Sequence, residues 1–199
     1  MTAPRLASAP TVHRAREEDF DLLARLLQLY LHDFSEHTSW GVDEQGLFHY
    51  AWLDAYRHEE GRHAYVFRVE GRPAGFALVR EAERIQMAEF FVLRRYRRAG
   101  VGLAAAQRLL GAHIGPWSIT QLATNPEATS FWRRAIPVPF EEMVQADGTV
   151  EQRFTIDRPC PLHVPEARSQ TMDSAQRSAK ATRNAESIRM IVAGRRAPP

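Results

Sequence analysis

Residues 88–110 read AEFFVLRRYRRAGVGLAAAQRLL. The stretch opens on β-formers, passes four arginines set around Tyr96, and runs through Gly100 and Gly102 into alanine and leucine. That pattern predicts a strand over 84–93, an arginine-rich loop, and a helix that begins at Gly100 or Val101. The first turn of such a helix has unpaired backbone amides and the positive end of the helix dipole, which together make a site for phosphate oxygens. Gly100 and Gly102 have no side chain to block the approach, and Arg97 and Arg98 can add charge-assisted contacts. The competing reading is a tight strand-to-helix turn with solvated arginines around it.

Working outward, TVHRA (11–15) is strand-like. An amphipathic helix from about Glu18 to His32 follows, with Phe20, Leu23, Leu27 and Tyr30 at helical spacing behind an acidic first turn. LFHYAWLDAYRHEEG is aromatic-rich and is read as a second, short helix. HAYVFRV and PAGFALVRE, joined by a glycine turn, predict a β-hairpin. After the quoted stretch, WSITQLAT is a strand, and NPEATSFWRRA is a helix with Asn125 as cap and Pro126 at its first position. FEEMV and VEQRFTI form a terminal hairpin about a DG turn. The predicted order is β, α, α, β, β, β, α, β, α, β, β. The chain divides into a flexible N-terminus (1–9), an α/β domain (10–158) and a disordered or loosely helical C-terminal tail (159–199) whose alanine, serine and arginine cannot bury enough apolar surface to hold a fixed place.

Composition narrows the class. The 199 residues carry a net charge of only +2, too little to argue for nucleic acid, and the longest apolar runs are far short of a membrane span. A single cysteine, Cys160, excludes an intrachain disulfide and fits a reducing, cytoplasmic setting; lying after the domain, it is no candidate for a catalytic thiol. Charge is uneven: eleven acidic residues between Glu17 and Glu60 face only Arg25 and Arg57, whereas the middle of the chain is basic.

Two motifs invite wrong readings. GVGLAA fits a dinucleotide fingerprint, but SITQLATNP (118–126) lacks the acid that would bind a ribose, and RRYRR separates the glycines from the strand. HEEGRH (58–63) approaches a zinc-protease motif, yet its histidines are five apart with a glycine between, which misses one helical face, so no metal site is expected.

AEFFVLRRYRRAGVGLAAAQRLL resembles the acyl-CoA-binding motif of the GNAT superfamily of N-acetyltransferases, a strand, then (Q/R)xxGx(G/A), then a helix, with Arg97, Gly100 and Gly102 in the defined places. NPEATSFWRRAI resembles the family's second signature, with Asn125, Ala128, Phe131 and Trp132 in its places. The resemblance covers residues 10 to 157. It implies a mixed, mostly antiparallel sheet, flanked by helices, that splays open after its fourth strand, with acetyl-CoA as cosubstrate. Phe91, Val92 and Leu93 would face the pantetheine arm, with an oxyanion contact near Val92. Arg97, Arg98, Ala99, Gly100, Val101 and Gly102 would hold the pyrophosphate, and Asn125, Phe131 and Trp132 would complete the cofactor site.

The implied reaction is direct attack by an amine, of a small molecule or a protein, on the thioester. Glu89 is the candidate general base: strand alternation groups it with Ile85, Met87, Phe91 and Leu93, so it stands as a lone carboxylate on an apolar face, where burial raises its pKa. The alternative is that Glu89 pairs with an arginine such as Arg97 or lies at a wet opening. Asp33 and Glu36 are candidates for attracting the cationic acceptor. Trp132 stands where the family commonly has the tyrosine that protonates the leaving thiolate, and an indole N–H is far too weak an acid for that. A non-catalytic acyl-CoA-binding module is therefore the second reading. A nucleic-acid-binding protein built on RRYRR is the third, and it lacks surface aromatics beyond Tyr96. Monomer and homodimer are both open.

Overall fold

The structure, a computed structural model, describes residues 9–158. The proposed tail (159–199), Cys160 and most of the N-terminal segment lie outside the described residues. Elements follow the expected order: β1 (Thr11–Arg14), α1 (Phe20–Phe34), α2 (Ala55–His58), β2 (Arg62–Val69), β3 (Arg72–Arg80), β4 (Ile85–Val92), α3 (Val101–Ala112), β5 (Gly115–Gln121), α4 (Pro126–Ala135), β6 (Glu141–Val144) and β7 (Val150–Ile156). One sheet runs β1-β2-β3-β4-β5-β7-β6, antiparallel throughout except for β4 beside β5. No helix among the described residues is long and apolar enough to cross a membrane.

The sheet is covered on both faces, which is why β2 and β3 read as nearly continuous apolar runs. One layer packs α3 and α4 on Phe67, Val79, Trp117 and Phe154; the other packs Leu23, Leu27 and Leu31 of α1 on Val66, Phe76 and Leu78. Each of these large, buried side chains contributes about 1.5–3 kcal/mol relative to exposure. The β2–β3 hairpin turns on Glu70 and Gly71, both at positive φ (50° and 75°), the geometry of a tight turn that follows the strands' own twist.

Two boundaries differ from expectation. Glu17–Asp19 form a 3-10 turn, so α1 starts at Phe20; the Asp19 carboxylate accepts the Arg16 amide at 3.1 Å and fixes the entry. The aromatic-rich second helix shrinks to the single turn of α2. Its preceding segment is instead pinned to α1, where the Gln28 side chain donates to the Phe48 carbonyl (3.0 Å) and accepts from the Phe48 amide (2.8 Å). That reciprocal pair satisfies the backbone without helix formation and delivers Tyr50 to the sheet.

Candidate active site

β4 organises the site through a bulge. Leu78 of β3 pairs with Glu89 and the next residue, Val79, pairs with Met87, so Ala88 is an extra residue on β4. An inserted residue reverses the side-chain alternation beyond it. Ile85 and Met87 therefore pack in the α3/α4 layer, as Phe90 does, while Glu89 and Phe91 turn toward α1. The expected grouping of Glu89 with Ile85 and Met87 is thus corrected: the carboxylate faces tyrosines, not an apolar strip.

β5 pairs with β4 only at Ile85–Trp117 and Gln86–Ser118, and the strands then diverge. The Leu93 amide donates to the Ala74 carbonyl at 2.9 Å, and a Cβ on Gly75 would stand 2.1 Å from the Phe91 carbonyl oxygen. Phe91 and Leu93 thus direct their backbone groups at β3, and by strand alternation Phe90 and Val92 direct theirs into the opening. A side chain at residue 75 would force β3 and β4 apart.

Glu89 is 4% exposed, and Tyr50 donates its hydroxyl to Oε1 at 3.1 Å. Burial pushes the Glu89 carboxyl up to about 7, against the smaller opposing effect of hydrogen bonds from Tyr30 and Tyr50. Burial and the neighbouring Glu89 charge push both tyrosine hydroxyls well above their ordinary range, so they are donors to the carboxylate rather than acids. The alternative pairing of Glu89 with Arg97 does not form. Tyr30 and Tyr50 escaped assignment as site residues: Tyr30 reads as an ordinary helix-face aromatic, and Tyr50 is 39 positions from Glu89 with no motif around it.

A cavity of about 160 Å³ lies beside Glu89 between the diverging strands, lined by Met87, Ser118, Thr120 and Gln121 among others. Gln121 was not anticipated either; its side-chain amide is buried and has no hydrogen-bond partner among the described residues, a group a bound ligand can satisfy. A larger cleft, about 830 Å³, extends from Phe90–Val92 to the start of α3, and the two spaces share Tyr30, Phe34, Phe90, Asn125, Ala128 and Trp132.

The arginine-rich loop forms the floor of the larger cleft. Arg94–Tyr96 make a 3-10 turn in which Tyr96 is buried, so the surface aromatic of the nucleic-acid reading is a core residue. Arg98 (φ 61°) and Gly100 (φ 84°) take left-handed conformations, and Gly100 caps α3. The Ala104 amide is bonded to the Gly100 carbonyl (3.0 Å), leaving the amides of Val101, Gly102 and Leu103 as the helix's outward donors. Val101 itself points into the core, Ala99 is half-buried beside the loop, and a Cβ added on Gly102 would meet Phe131 and Val92 at ordinary contact distance.

The arginines bring their own counter-charge. Asp33, at the end of α1, accepts from Arg94 (2.7 and 3.1 Å) and from Arg97, whose Nε also donates to the Val92 carbonyl at 2.7 Å. Burial works to raise the Asp33 pKa, but the hydrogen bonds and charges of Arg94 and Arg97 outweigh it and hold the carboxyl below its usual range. Glu36 lies 3.8 Å from Arg94. Asp33, expected as a carboxylate for a cationic acceptor, is bonded to both arginines and braces the loop against α1, while Glu36, expected in the same role, stays largely exposed; both line the larger cleft. Among the described residues Arg98 reaches only the exposed Glu127, at 3.7 Å.

Asn125 caps α4 as expected, its side chain accepting the Ala128 amide at 3.0 Å. Phe131 stacks on Phe90 (5.6 Å between centroids), and Trp132, 5% exposed, packs edge-on against Phe90 at 5.2 Å. Trp132 is a wall shared by both spaces.

A family model described as Acetyltransferase (GNAT) family matches residues 23–135, more than half of the chain. The chain belongs to the GNAT family of acetyltransferases. Solved structures agree on the fold. An acetyltransferase from Thermus thermophilus superposes with a TM-score of 0.58 at 15% identity, covering 76% of this chain and 99% of that one. RimL, a ribosomal L7/L12 alpha-N-protein acetyltransferase in complex with coenzyme A, gives 0.56 at 14% identity, covering 76% and 97%. The ribosomal-protein-S18-alanine N-acetyltransferase from Escherichia coli gives 0.53 at 14% identity, with the same coverage. No curated protein matches the sequence. The splayed, mostly antiparallel GNAT sheet is thus shared at identities too low to carry anything but the fold.

Proposed function

We propose that this GNAT protein is an acetyl-CoA-dependent N-acetyltransferase that acetylates a primary amine, of a small molecule or a protein, with Glu89 as general base. The observation that carries the reading is the placement of a buried carboxyl, pushed up to about 7, beside the opening into which Val92 directs its amide. Such a carboxylate is ionised often enough at neutral pH, and basic enough, to accept a proton. The residues fit coenzyme A: the outward amides of Val101, Gly102 and Leu103 suit the pyrophosphate, with Arg98 beside them, and the outward backbone of Phe90 and Val92 suits the pantetheine amides as a further strand would. Acetyl-CoA supplies the activated acyl group.

In this reading the acceptor's ammonium gives one proton to Glu89, and the neutral amine attacks the thioester carbonyl. As the C–N bond forms, the Val92 amide stabilises the carbonyl oxygen. The C–S bond then breaks, and one of the two protons left on the nitrogen passes to the departing sulfur, directly or through water, while the other stays on the product amide. This sequence needs no tyrosine at residue 132.

The indole of Trp132, too weak an acid to protonate a departing thiolate, favours a second reading, a module that binds acyl-CoA without turnover. Purified protein with acetyl-CoA and a panel of primary amines separates the two by thiol release and calorimetric binding. Release above background supports the transferase, stabilisation by coenzyme A without release supports the module, and no coenzyme A binding refutes both.

A further inference from the structure

The end of α3 remote from Gly100, about 18 Å of helix away, carries a side-chain cluster with no part in acetyl transfer. His63 of β2, Glu81 just after β3 and His113 just after α3 converge there. His63 Nε2 lies 2.9 Å and His113 Nδ1 3.5 Å from the same oxygen, Glu81 Oε1, and the three ligand atoms all lie within 4.8 Å of one another. A tetrahedral ion with bonds of about 2.0–2.1 Å to nitrogen and oxygen sets its ligand atoms about 3.3–3.4 Å apart, so the two short edges bracket that spacing. The imidazole rings stand 5.1 Å apart between centroids.

The surroundings suit an ion. His113 Nε2 is 2.7 Å from the Tyr65 hydroxyl, which turns Nδ1 toward Glu81 and is the kind of outer hydrogen bond that orients a metal-bound imidazole. His63 Nε2 is hydrogen-bonded to the Glu81 carboxylate, which can only accept, so an ion entering there takes the place of that shared proton, while the buried Nδ1, without a hydrogen-bond partner among the described residues, carries the proton left on the ring. Glu81 is half exposed, which leaves a path from solvent and room for water in the remaining coordination position. HEEGRH gave no hint of this: His58 lies on α2 beside Asp54, and His63 finds its carboxylate 18 positions away.

We propose that His63, Glu81 and His113 bind a divalent transition-metal ion, with zinc as the reference. Two imidazoles and one carboxylate select late first-row ions over calcium or magnesium, which favour all-oxygen sites. The ion would clamp the start of β2, the end of β3 and the C-terminus of α3, and because these meet only in the folded chain, it would stabilise the folded state.

The test uses the full chain without an affinity tag. Equilibrium dialysis should find one zinc per chain, X-ray absorption of that complex should show two imidazole ligands, and saturating zinc should raise Tm by a few degrees or more while magnesium does not. Glu81→Gln, at a half-exposed position, and His63→Gln should each weaken zinc binding at least tenfold and remove the Tm rise, while coenzyme A still stabilises both variants. Absence of stoichiometric binding would overturn the proposal, as would zinc binding and a Tm rise that persist unchanged in both variants, which would put the ion on other histidines. None of these readouts depends on acetyl transfer.

Discussion

Replacing Glu89 by Gln separates what the buried carboxyl does for chemistry from what it costs the fold. An ordinary glutamate near 4.5 is pushed up to about 7 here, a difference worth about 3 kcal/mol between the two protonation states. Below about pH 4.5 the carboxyl is protonated in both folded and unfolded chains. Between 4.5 and about 7 the folded chain keeps a proton that the unfolded chain has released, so stability falls as pH rises, and above about 7 the whole penalty is present. Glutamine is neutral at every pH and its amide oxygen still accepts the Tyr50 hydroxyl. Glu89→Gln should therefore exceed the parent in Tm by only a few degrees near pH 5, where about 1 kcal/mol of the penalty is present, and by clearly more near pH 8, at about 2–4 °C per kcal/mol for a chain of this size. In the same samples, thiol release should show the parent's kcat/KM rising with pH to a plateau above about 7, and the variant should lose at least tenfold in rate together with that limb. A stability offset that is the same at both pH values would refute the assigned burial of charge. An unchanged rate would remove Glu89 as base even if the stability result held.

Three further outcomes test the remaining assignments. Gly100→Ala, at φ 84°, should cost about 1 kcal/mol of stability and reduce the Tm rise given by coenzyme A, read by differential scanning fluorimetry. Asp33→Asn frees Arg94 and Arg97 of their shared partner; steady-state kinetics should show the acceptor KM within about threefold of the parent, whereas direct binding of the acceptor ammonium by Asp33 would raise it tenfold or more. Trp132→Phe should leave kcat within about threefold while lowering Tm, because the indole supplies packing against Phe90 and no proton; a loss of rate at unchanged cofactor affinity would give the indole a role in the reaction.

Local signals made much of this protein legible from its sequence: the order of strands and helices, the glycines at the start of α3, the Asn125 cap, and the arginine-rich loop after β4. Each depends on a few adjacent residues, whose backbone preferences and side-chain caps act over one turn or one strand. Only the tertiary structure decided which way Glu89 faces, because a single extra residue at Ala88 reverses the alternation and no local preference records the bulge. The same holds for the partners of the charges. Asp33 meets Arg94 and Arg97 across 61 and 64 positions, and Tyr50 meets Glu89 across 39, so these pairs exist only once helix α1 and the segment pinned to it have packed on the sheet. Burial then fixes what each group can do: it leaves Glu89 able to take a proton near neutrality and Asp33 committed to the arginines.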